Sequence, residues 1–194
     1  MTADEKMKYK AINEKVFERF PMLQTERLVL RQVHLRDAAP QYRFRSDPAA
    51  MKYMARPLAS RIGEVEALIL QTQKAFEDKE AVYWALSLKP DDLFVGTAGF
   101  WRMKKEDLRA ELGCQLLVEH QQKGYMTEAL KAIIRFGFET LNLHSIEADS
   151  DPRNTASIRL LEKLGFEREA LFRENVYFEG EFLDSAIYSL LRKE

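Results

Sequence analysis

Apolar and polar side chains alternate with the period of an α-helix most clearly between residues 125 and 141. The apolar positions recur three or four residues apart, and charged residues occupy the opposite face. The apolar set is Leu130, Ile133, Ile134, Gly137, Phe138 and Leu141, and the charged set is Glu128, Lys131, Arg135 and Glu139. This pattern predicts an amphipathic helix that buries one face against the rest of the chain.

The other patterns predict more strands than helices. Residues 26–33 and 110–117 form short, largely apolar runs that are typical of strands, and residues 34–54 and 61–80 have helical patterns. The remaining predicted elements are a hairpin over 81–103 that turns at Lys89-Pro90-Asp91-Asp92, a strand over 144–151, a short helix over 154–166 that ends at Gly165, and a terminal hairpin over 171–191 that turns near Glu179-Gly180. The order predicts an α/β fold of the α+β kind, in which a mixed, largely meandering sheet contains one strand–helix–strand unit.

Length and composition are those of one globular domain. With 194 residues, of which 46% are hydrophobic, the chain can bury a substantial core. We expect that domain to cover residues 23–194. The charged run from Asp4 to Phe20, which ends before Pro21, predicts a helix within an N-terminal extension over residues 1–22.

Charge and cysteine content narrow the expected partners. A formal net charge of −1 provides no overall attraction to nucleic acid or to an anionic membrane, so neither is expected as a partner. The apolar runs are too short to span a membrane, and the charged first ten residues lack the apolar core of a secretory signal. A single cysteine, Cys114, suits a reducing compartment. We therefore expect a cytoplasmic protein, either a monomer or a homodimer, because the terminal hairpin offers a sheet edge.

The segment before the amphipathic helix has the composition of an anion-binding turn. Gln121, Gln122 and Lys123 precede Gly124, so a predicted strand leads through a glycine into a helix start. Backbone N–H groups and the helix dipole favour an anion there, and phosphate is the natural candidate. A nucleoside-triphosphatase loop is excluded because Lys123 precedes the glycine and Tyr125 follows it, and a dinucleotide fingerprint is excluded because the segment has one glycine. An ordinary turn, in which Gly124 only adopts a positive φ, remains the alternative.

A second polar segment carries a resemblance to a known family. The sequence DPRNTASIRLLEKLGF, residues 151–166, places Asn154 and Ser157 between a predicted strand and a short helix. Together with QQKGYMTEAL and the strand AELGCQLL before it, this segment resembles motifs A and B of the GCN5-related N-acetyltransferases, the GNAT superfamily. The opening LQTERLVLR and the closing FEGEFLDSAIYSLL are similar to the RimJ/RimL group, which acetylates N-terminal amines of ribosomal proteins. The resemblance covers roughly residues 23–192 and implies the GNAT fold, a mostly antiparallel mixed sheet flanked by helices, with splayed strands at the acetyl-CoA site.

The resemblance implies that two segments bind acetyl-CoA. The loop for its pyrophosphate is formed by Gln121, Gln122, Lys123, Gly124, Tyr125, Met126 and Thr127. Met126 departs from the small residue of the family pattern, so we expect its side chain to point away from the diphosphate. The backbone near Cys114, Gln115 and Leu116 is expected to pair with the pantetheine arm like an added strand, and Asn154 to hydrogen-bond the same arm.

The resemblance also implies direct transfer to an amine, with three catalytic candidates. Ser157 is the candidate acid for the departing thiolate, because the family's tyrosine position is Leu161 here; its alternative is a structural serine that caps the helix. Glu147 and Glu111 are alternative general bases that act through a water, and the alternative for each is a strand glutamate that is exposed or paired with arginine.

The remaining candidates concern the oxyanion, the cysteine, metal binding and the acceptor cleft. The resemblance further implies that a backbone N–H at Leu116 or Leu117 stabilises the oxyanion. Cys114 is expected to be an apolar filler and not a nucleophile. Three histidines are not spaced like metal ligands, and no metal is expected: His34, His120 and His144. Three aromatic residues are candidates for lining the acceptor cleft, or for the core: Trp84, Trp101 and Tyr177.

The sequence therefore predicts an acetyl-CoA-dependent N-acetyltransferase of the RimJ/RimL type that acts on a protein N-terminal α-amine, ribosomal or other. The alternatives are an acetyltransferase for a small amine, such as a polyamine, an amino acid or an antibiotic, and a non-catalytic acyl-CoA-binding module. Ser157 and Glu147 argue against the last. We expect residues 38–79 to build the acceptor pocket, where an acidic lining indicates a polyamine and a more neutral one a peptide end.

Overall fold

In the computed structural model, which describes residues 11–193, eight strands form one sheet flanked by helices. The strands are β1 (Leu23–Gln24), β2 (Leu28–Gln32), β3 (Val82–Leu88), β4 (Leu93–Lys104), β5 (Arg109–Leu116), β6 (Ser145–Ser150), β7 (Glu167–Phe178) and β8 (Glu181–Leu191). The helices are α1 (Ala38–Arg45), α2 (Pro48–Met51), α3 (Ile62–Glu77), α4 (Tyr125–Glu139) and α5 (Thr155–Lys163), with short 3-10 helices over Glu14–Glu18, Leu35–Asp37 and Val118–His120. The predicted α/β fold with a mixed, mostly antiparallel sheet is confirmed.

The sheet has the order β1-β2-β3-β4-β5-β6-β8-β7. Every neighbouring pair is antiparallel except β5 and β6, which α4 connects as the predicted strand–helix–strand unit. Because β5 and β6 are parallel, their carboxyl ends lie at the same edge of the sheet. The segments that lead into α4 and α5 therefore start from that edge.

Two apolar clusters hold helices on the two faces of the sheet. On one face, Leu130 and Ile133 of α4 are fully buried in a cluster that includes Trp84 and Phe100. Each such aliphatic side chain contributes roughly 1.5–3 kcal/mol when it leaves water. A Cβ at Gly137 would lie 2.7 Å from Phe100 Cζ, so the glycine in mid-helix lets α4 approach the sheet closely.

The opposite face is covered by α1 and α3. Phe44 of α1 and Val65 and Ile69 of α3 are buried around Ala85 of β3. Alternation along β3 therefore sends Trp84 and Ala85 to different faces. Among residues 11–193, no helix is both long and apolar enough to cross a membrane, and no group of three or more His, Cys, Asp or Glu side chains is arranged to hold a metal ion.

The segment before β1 differs from the helix predicted from Asp4 to Phe20. Residues 4–10 lie outside the described residues, and the described part contains one short 3-10 helix, Glu14–Glu18. The prediction of one continuous helix up to Phe20 is therefore wrong for the described part of this segment.

Tertiary contacts explain the irregular path of this segment. The rings of Phe17 and Phe76 lie 5.3 Å apart between centroids, and the carboxylate of Glu14 bonds Lys79 and Lys105. Those two bonds lower the pKa of Glu14 to about 2. Packing on the domain thus overrides the local preference for a helix. The division of the chain at residue 22 stays a prediction.

Candidate active site

The strands β5 and β6 separate after a short paired region. Residues 109–111 pair in parallel register with residues 145–147. Beyond that point β5 remains paired with β4 up to Leu116, and β6 remains paired with β8 up to Ser150. The two strands therefore enclose a wedge that opens toward the starts of α4 and α5, which is the splay implied for this fold.

The strand ladder determines which backbone groups of β5 face the wedge. The N–H of Leu117 donates to the carbonyl of Val95 at 2.9 Å, and residues that bond across an antiparallel ladder alternate along the strand. The backbone groups of Leu116 and Cys114 thus point into the wedge, while those of Gln115 point toward β4. Because the N–H of Leu117 is already bonded, Leu116 is the better of the two candidate oxyanion donors.

Gly124 supplies the backbone conformation that starts α4. Its φ of +80° is in the left-handed region, and a Cβ there would lie 3.4 Å from Nη2 of Arg27. The N–H of Glu128 donates to the carbonyl of Gly124 at 3.1 Å and closes the first turn. The N–H groups of residues 125–127 belong to the first turn and have no intrahelical acceptor. With the helix dipole they form a site for an anion beside the wedge.

Two polar side chains of this loop bind the loop's own backbone. Gln121 Nε2 donates to the carbonyl of Leu116 at 3.1 Å, and Lys123 Nζ donates to the carbonyl of Glu119 at 2.7 Å. Gln122 is exposed and has a φ of +60°. In this arrangement Gln121 and Lys123 fix the shape of the loop, and an anion would meet mainly backbone N–H groups.

The side chains after Gly124 point in different directions. Met126 is 8% exposed and belongs to the main core cluster, so its side chain turns away from the loop while its N–H stays at the helix start. Tyr125 is half-buried, and the guanidinium carbon of Arg27 lies 4.6 Å from its ring centroid. Thr127 is half-buried within the first turn.

Arg27 joins the start of β2 to α4, a contact that sequence reasoning missed. Its Nε lies 2.7 Å from Oε2 of Glu128, and its Nη1 donates to the carbonyl of Lys123 at 3.0 Å. Burial opposes ionisation of Glu128, but hydrogen bonds from Thr25 and Arg27 lower the pKa of this carboxyl overall. Arg27 and Glu128 are 101 residues apart, and no local pattern signals such a contact.

Asn154 and Ser157 lie together beyond the end of β6. The Oδ1 atom of Asn154 accepts a hydrogen bond from the backbone N–H of Ser157 at 3.1 Å and so caps α5. The capping residue is thus Asn154, and the hydroxyl of Ser157 takes no part in the cap. The Nδ2 group of Asn154 remains able to donate to a ligand in the wedge.

The two candidate bases have different surroundings. Glu111 is 9% exposed, and burial raises its pKa, which Arg102 at 3.1 Å opposes and the carboxylates of Asp149 and Glu147 increase. Glu147 is bonded to Arg109. Both glutamates are thus paired with arginine, as in the structural alternative, and the pKa of Glu111 is raised by its burial.

Asp149 is a third carboxylate near this point and was not among the predicted residues. Burial raises its pKa, a hydrogen bond from Ser185 opposes this, and the charge of Glu147 adds to it. Alternation along β6 places Asp149 on the same face as Glu147. The carboxylates of Glu111, Glu147 and Asp149 therefore form an acidic side of the cleft at the narrow end of the wedge.

Cys114 is unsuited to nucleophilic attack. Burial raises the pKa of its thiol to about 11, and the residue packs against the core cluster on the α4 face. A thiol that stays protonated at neutral pH is a poor nucleophile.

The three aromatic candidates have different environments. Trp84 is fully buried and its Nε1 donates to the carbonyl of Pro21 at 2.6 Å, so it belongs to the core and not to the cleft. Tyr177 is 66% exposed on the terminal hairpin. Trp101 is half-buried between the guanidinium groups of Arg56 and Arg102, on the face that carries Glu111.

Known proteins resemble the chain in sequence and in fold. Residues 27–167 match the family model described as acetyltransferase (GNAT) domain. The uncharacterized N-acetyltransferase p20 of Bacillus licheniformis is 36% identical over 172 residues, which cover 89% of this chain and 97% of that protein. The ribosomal protein uS5-alanine N-acetyltransferase of Escherichia coli (strain K12) is 30% identical over 176 residues, covering 87% and 89%. The crystal structure of a GNAT-family acetyltransferase from Bacillus anthracis matches with a TM-score of 0.79 at 26% identity, covering 88% of this chain and 98% of that one.

Proposed function

This chain belongs to the GNAT acetyltransferase family, and on that premise we propose that it transfers the acetyl group of acetyl-CoA to the N-terminal α-amine of a protein. The chain is an N-acetyltransferase, and acetyl-CoA is its co-substrate. The observation that carries the proposal is the wedge between β5 and β6, with a buried glutamate at its narrow end and two helix starts at its open end.

The residues of the wedge fit acetyl-CoA along its length. The N–H groups of residues 125–127 meet the diphosphate, and Gly124 keeps this approach clear of a side chain. Backbone groups of Cys114 pair with the amides of the pantetheine arm, and Asn154 Nδ2 donates to the same arm. Leu116 contributes its N–H at the thioester end, because its carbonyl already accepts from Gln121. Gln115 is a less suitable partner for the pantetheine arm, because its backbone groups point toward β4.

Glu111 is the better candidate for the base. An N-terminal α-amine has a pKa of about 8 and is partly neutral at cellular pH, so a weak base acting through a water suffices. The raised pKa of Glu111 brings this carboxylate closer to the range in which it accepts a proton. Glu147 forms an ion pair with Arg109, which fits a structural role for this glutamate.

The backbone N–H of Leu116 stabilises the oxyanion, because it points into the wedge and is not used by β4. The hydroxyl of Ser157 gives a proton to the departing thiolate, since the helix cap leaves that hydroxyl available. These roles need no covalent acyl-enzyme, in agreement with the high pKa of Cys114.

The cations within residues 38–79 disfavour a polyamine, whereas the carboxylates at the narrow end of the wedge attract the reacting amine itself. Arg45 and Arg56, both within the region predicted to build the acceptor pocket, lie near Tyr83 on the face that carries Glu111. Two cations there repel a polycation. A protein N terminus is further supported by the name of the Escherichia coli relative.

Release of the coenzyme A thiol, measured with a panel of amines, tests the proposal. We expect turnover with peptides that have a free N terminus and loss of turnover with the same peptides N-terminally blocked. Turnover with polyamines, amino acids or aminoglycosides alone would identify a small-molecule enzyme, and cofactor binding without any turnover would identify a binding module. A cytoplasmic location and a monomeric or homodimeric state remain predictions from the sequence.

A further inference from the structure

Arg45 is a half-buried cation at the end of α1. Within the part of the chain that the structure describes, neither Arg45 nor Arg56 has a carboxylate at ion-pair distance. Burial lowers the pKa of Arg45, the charge of Arg56 lowers it further, and Tyr83 opposes this. A half-buried guanidinium has lost part of its hydration, and an anion bound beside it would offset that loss.

Other buried or half-buried arginines of the same domain have acceptors for their guanidinium groups, and Arg192, for example, donates to the carbonyl of Phe138 at 2.6 Å. Arg31 bonds Asp37 at 2.8 Å, and Arg109 bonds Glu147. Arg45 is different because its guanidinium has no hydrogen-bond acceptor among the described residues, and the charged or titratable groups that act on it are Arg56 and Tyr83.

Trp101 supplies a second, independent sign of a ligand. Its Nε1 atom is buried and has no hydrogen-bond acceptor among the described residues, although buried indole N–H groups normally find one. The guanidinium carbon of Arg56 lies 5.2 Å from the centroid of the Trp101 ring. The unpaired indole N–H and the guanidinium without a carboxylate are therefore neighbours.

Tyr83 and Gly113 locate this place relative to the wedge. A Cβ at Gly113 would lie 3.2 Å from the Tyr83 hydroxyl and 3.4 Å from Trp101 Nε1, so both groups converge on β5 just beyond its paired region. Burial raises the pKa of Tyr83, so its hydroxyl keeps its proton. The backbone of β5 at Gly113 is also where the wedge opens.

The face of the sheet that carries Trp101 and Glu111, which we call the acceptor cleft, therefore has a positively charged side and a negatively charged side. Arg45, Arg56 and the N–H of Trp101 form a cationic, donor-rich side, whereas Glu111 is the register partner of Trp101 and begins the acidic side. An amine that approaches Glu111 would place its neighbouring atoms toward the arginines. Such a cleft fits an acceptor that carries both charges.

We infer that the acceptor has a carboxylate a few bonds from its reactive amine, and that Arg45, Arg56 and Trp101 Nε1 bind this carboxylate. The inference rests on the proposed function and specifies it: the acceptor peptide has Asp or Glu as its first or second residue. A free amino acid, with its α-carboxylate, shares the same chemistry and is the second source to be compared.

The experiment compares matched acceptors in matched variants. Peptides that differ only by Glu or Gln at residue one or two, and free amino acids with their amides, are assayed by coenzyme A release. We expect the wild type to prefer the acidic member by roughly ten- to a hundredfold in kcat/KM, the range for losing a hydrogen bond to a charged group. Arg45→Met and Arg56→Met should reduce this ratio toward one. Arg43→Met, on an exposed arginine of the same helix, is the control and should retain it.

Thermal unfolding separates this role from a structural one. Arg45→Met should be as stable as the wild type or more stable, since it removes an unpaired, desolvated charge. A lower stability with an unchanged acid preference would overturn the inference.

The remaining outcomes are distinguishable. Equal rates with acidic and neutral peptides would overturn the inference and leave the proposed function intact. An arginine-dependent preference confined to free amino acids would support the carboxylate site and refute the protein N terminus as acceptor. Absence of any acetylated acceptor would overturn both.

Discussion

The side-chain carbonyl of Asn154 accepts a hydrogen bond from the backbone N–H of Ser157 at 3.1 Å. One amide side chain thus caps α5 through its oxygen and leaves its Nδ2 group able to donate to a ligand. The fold and the proposed binding of the pantetheine arm depend on different atoms of the same residue. Substitutions can therefore separate the two roles.

Asn154→Asp should separate capping from binding. A carboxylate caps a helix as well as an amide oxygen, so stability should be nearly unchanged, while loss of the Nδ2 donor raises the KM for acetyl-CoA. Asn154→Ala loses both roles and should cost about 1 kcal/mol of stability as well. Asp47→Ala, which removes the cap of α2, serves as the control for stability alone. An unchanged KM in Asn154→Asp would show that Nδ2 does not bind the cofactor.

Ser157→Ala should lower kcat with little effect on stability or on the KM for acetyl-CoA. The cap uses only the backbone N–H of Ser157, so removal of the hydroxyl leaves α5 intact. We expect kcat to fall by about ten- to a hundredfold. This is a small effect for the loss of a general acid, because a thiolate is already a fair leaving group. Full turnover in the variant, with Thr155→Ala as the neighbouring control, would exclude the acid role.

Glu111→Gln should remove the base while keeping a hydrogen-bonding partner for Arg102. Since the pKa of Glu111 is raised, its basic form is populated only above that pKa, and kcat/KM of the wild type should fall as pH decreases through it. The variant should lose about a hundredfold or more in kcat/KM and lose this acidic limb. If Glu111→Gln keeps the acidic limb of the kcat/KM profile and Glu147→Gln loses it, then Glu147 is the general base and Glu111 is not.

The raised pKa of Glu111 also predicts how the free energy of unfolding depends on pH. The folded chain holds the proton of Glu111 more tightly than the unfolded chain, so ionisation of this group reduces stability as pH rises from the unfolded to the folded pKa. Above that window, Glu111→Gln should be at least as stable as the wild type, as measured by chemical denaturation. A clear loss of stability at neutral pH would show that the pair with Arg102 outweighs burial.

Periodicity was sufficient to predict the elements whose patterns are local. The apolar stripe of α4, the hairpin over β3 and β4, and the terminal hairpin around Gly180 all appear where the sequence places them. The wedge followed only from the resemblance to a family, because hydrophobic patterns do not show where two strands stop pairing.

Contacts between distant segments could not be predicted from the sequence. Arg27 and Glu128 meet only because β2 lies beside the start of α4. Trp84 was a candidate for the cleft but lies on the α4 face, whereas Tyr83 lies on the face that carries Glu111, since neighbouring residues of a strand point to opposite faces. The N-terminal segment lost its predicted helical form because Phe17 packs on Phe76.

Calorimetric titration of the chain with coenzyme A and with pantetheine tests the central claim, that N–H groups after Gly124 bind the diphosphate. The account predicts that coenzyme A binds at least about tenfold more tightly, roughly 1.4 kcal/mol, because pantetheine lacks the diphosphate and the adenosine 3′-phosphate attached to it, and the Gly124 variant isolates the diphosphate. Gly124→Ala should shrink that difference. Gly180→Ala, which has a similar φ of +90° but open space around it, should not. Equal affinities of the wild type for the two ligands would contradict the claim.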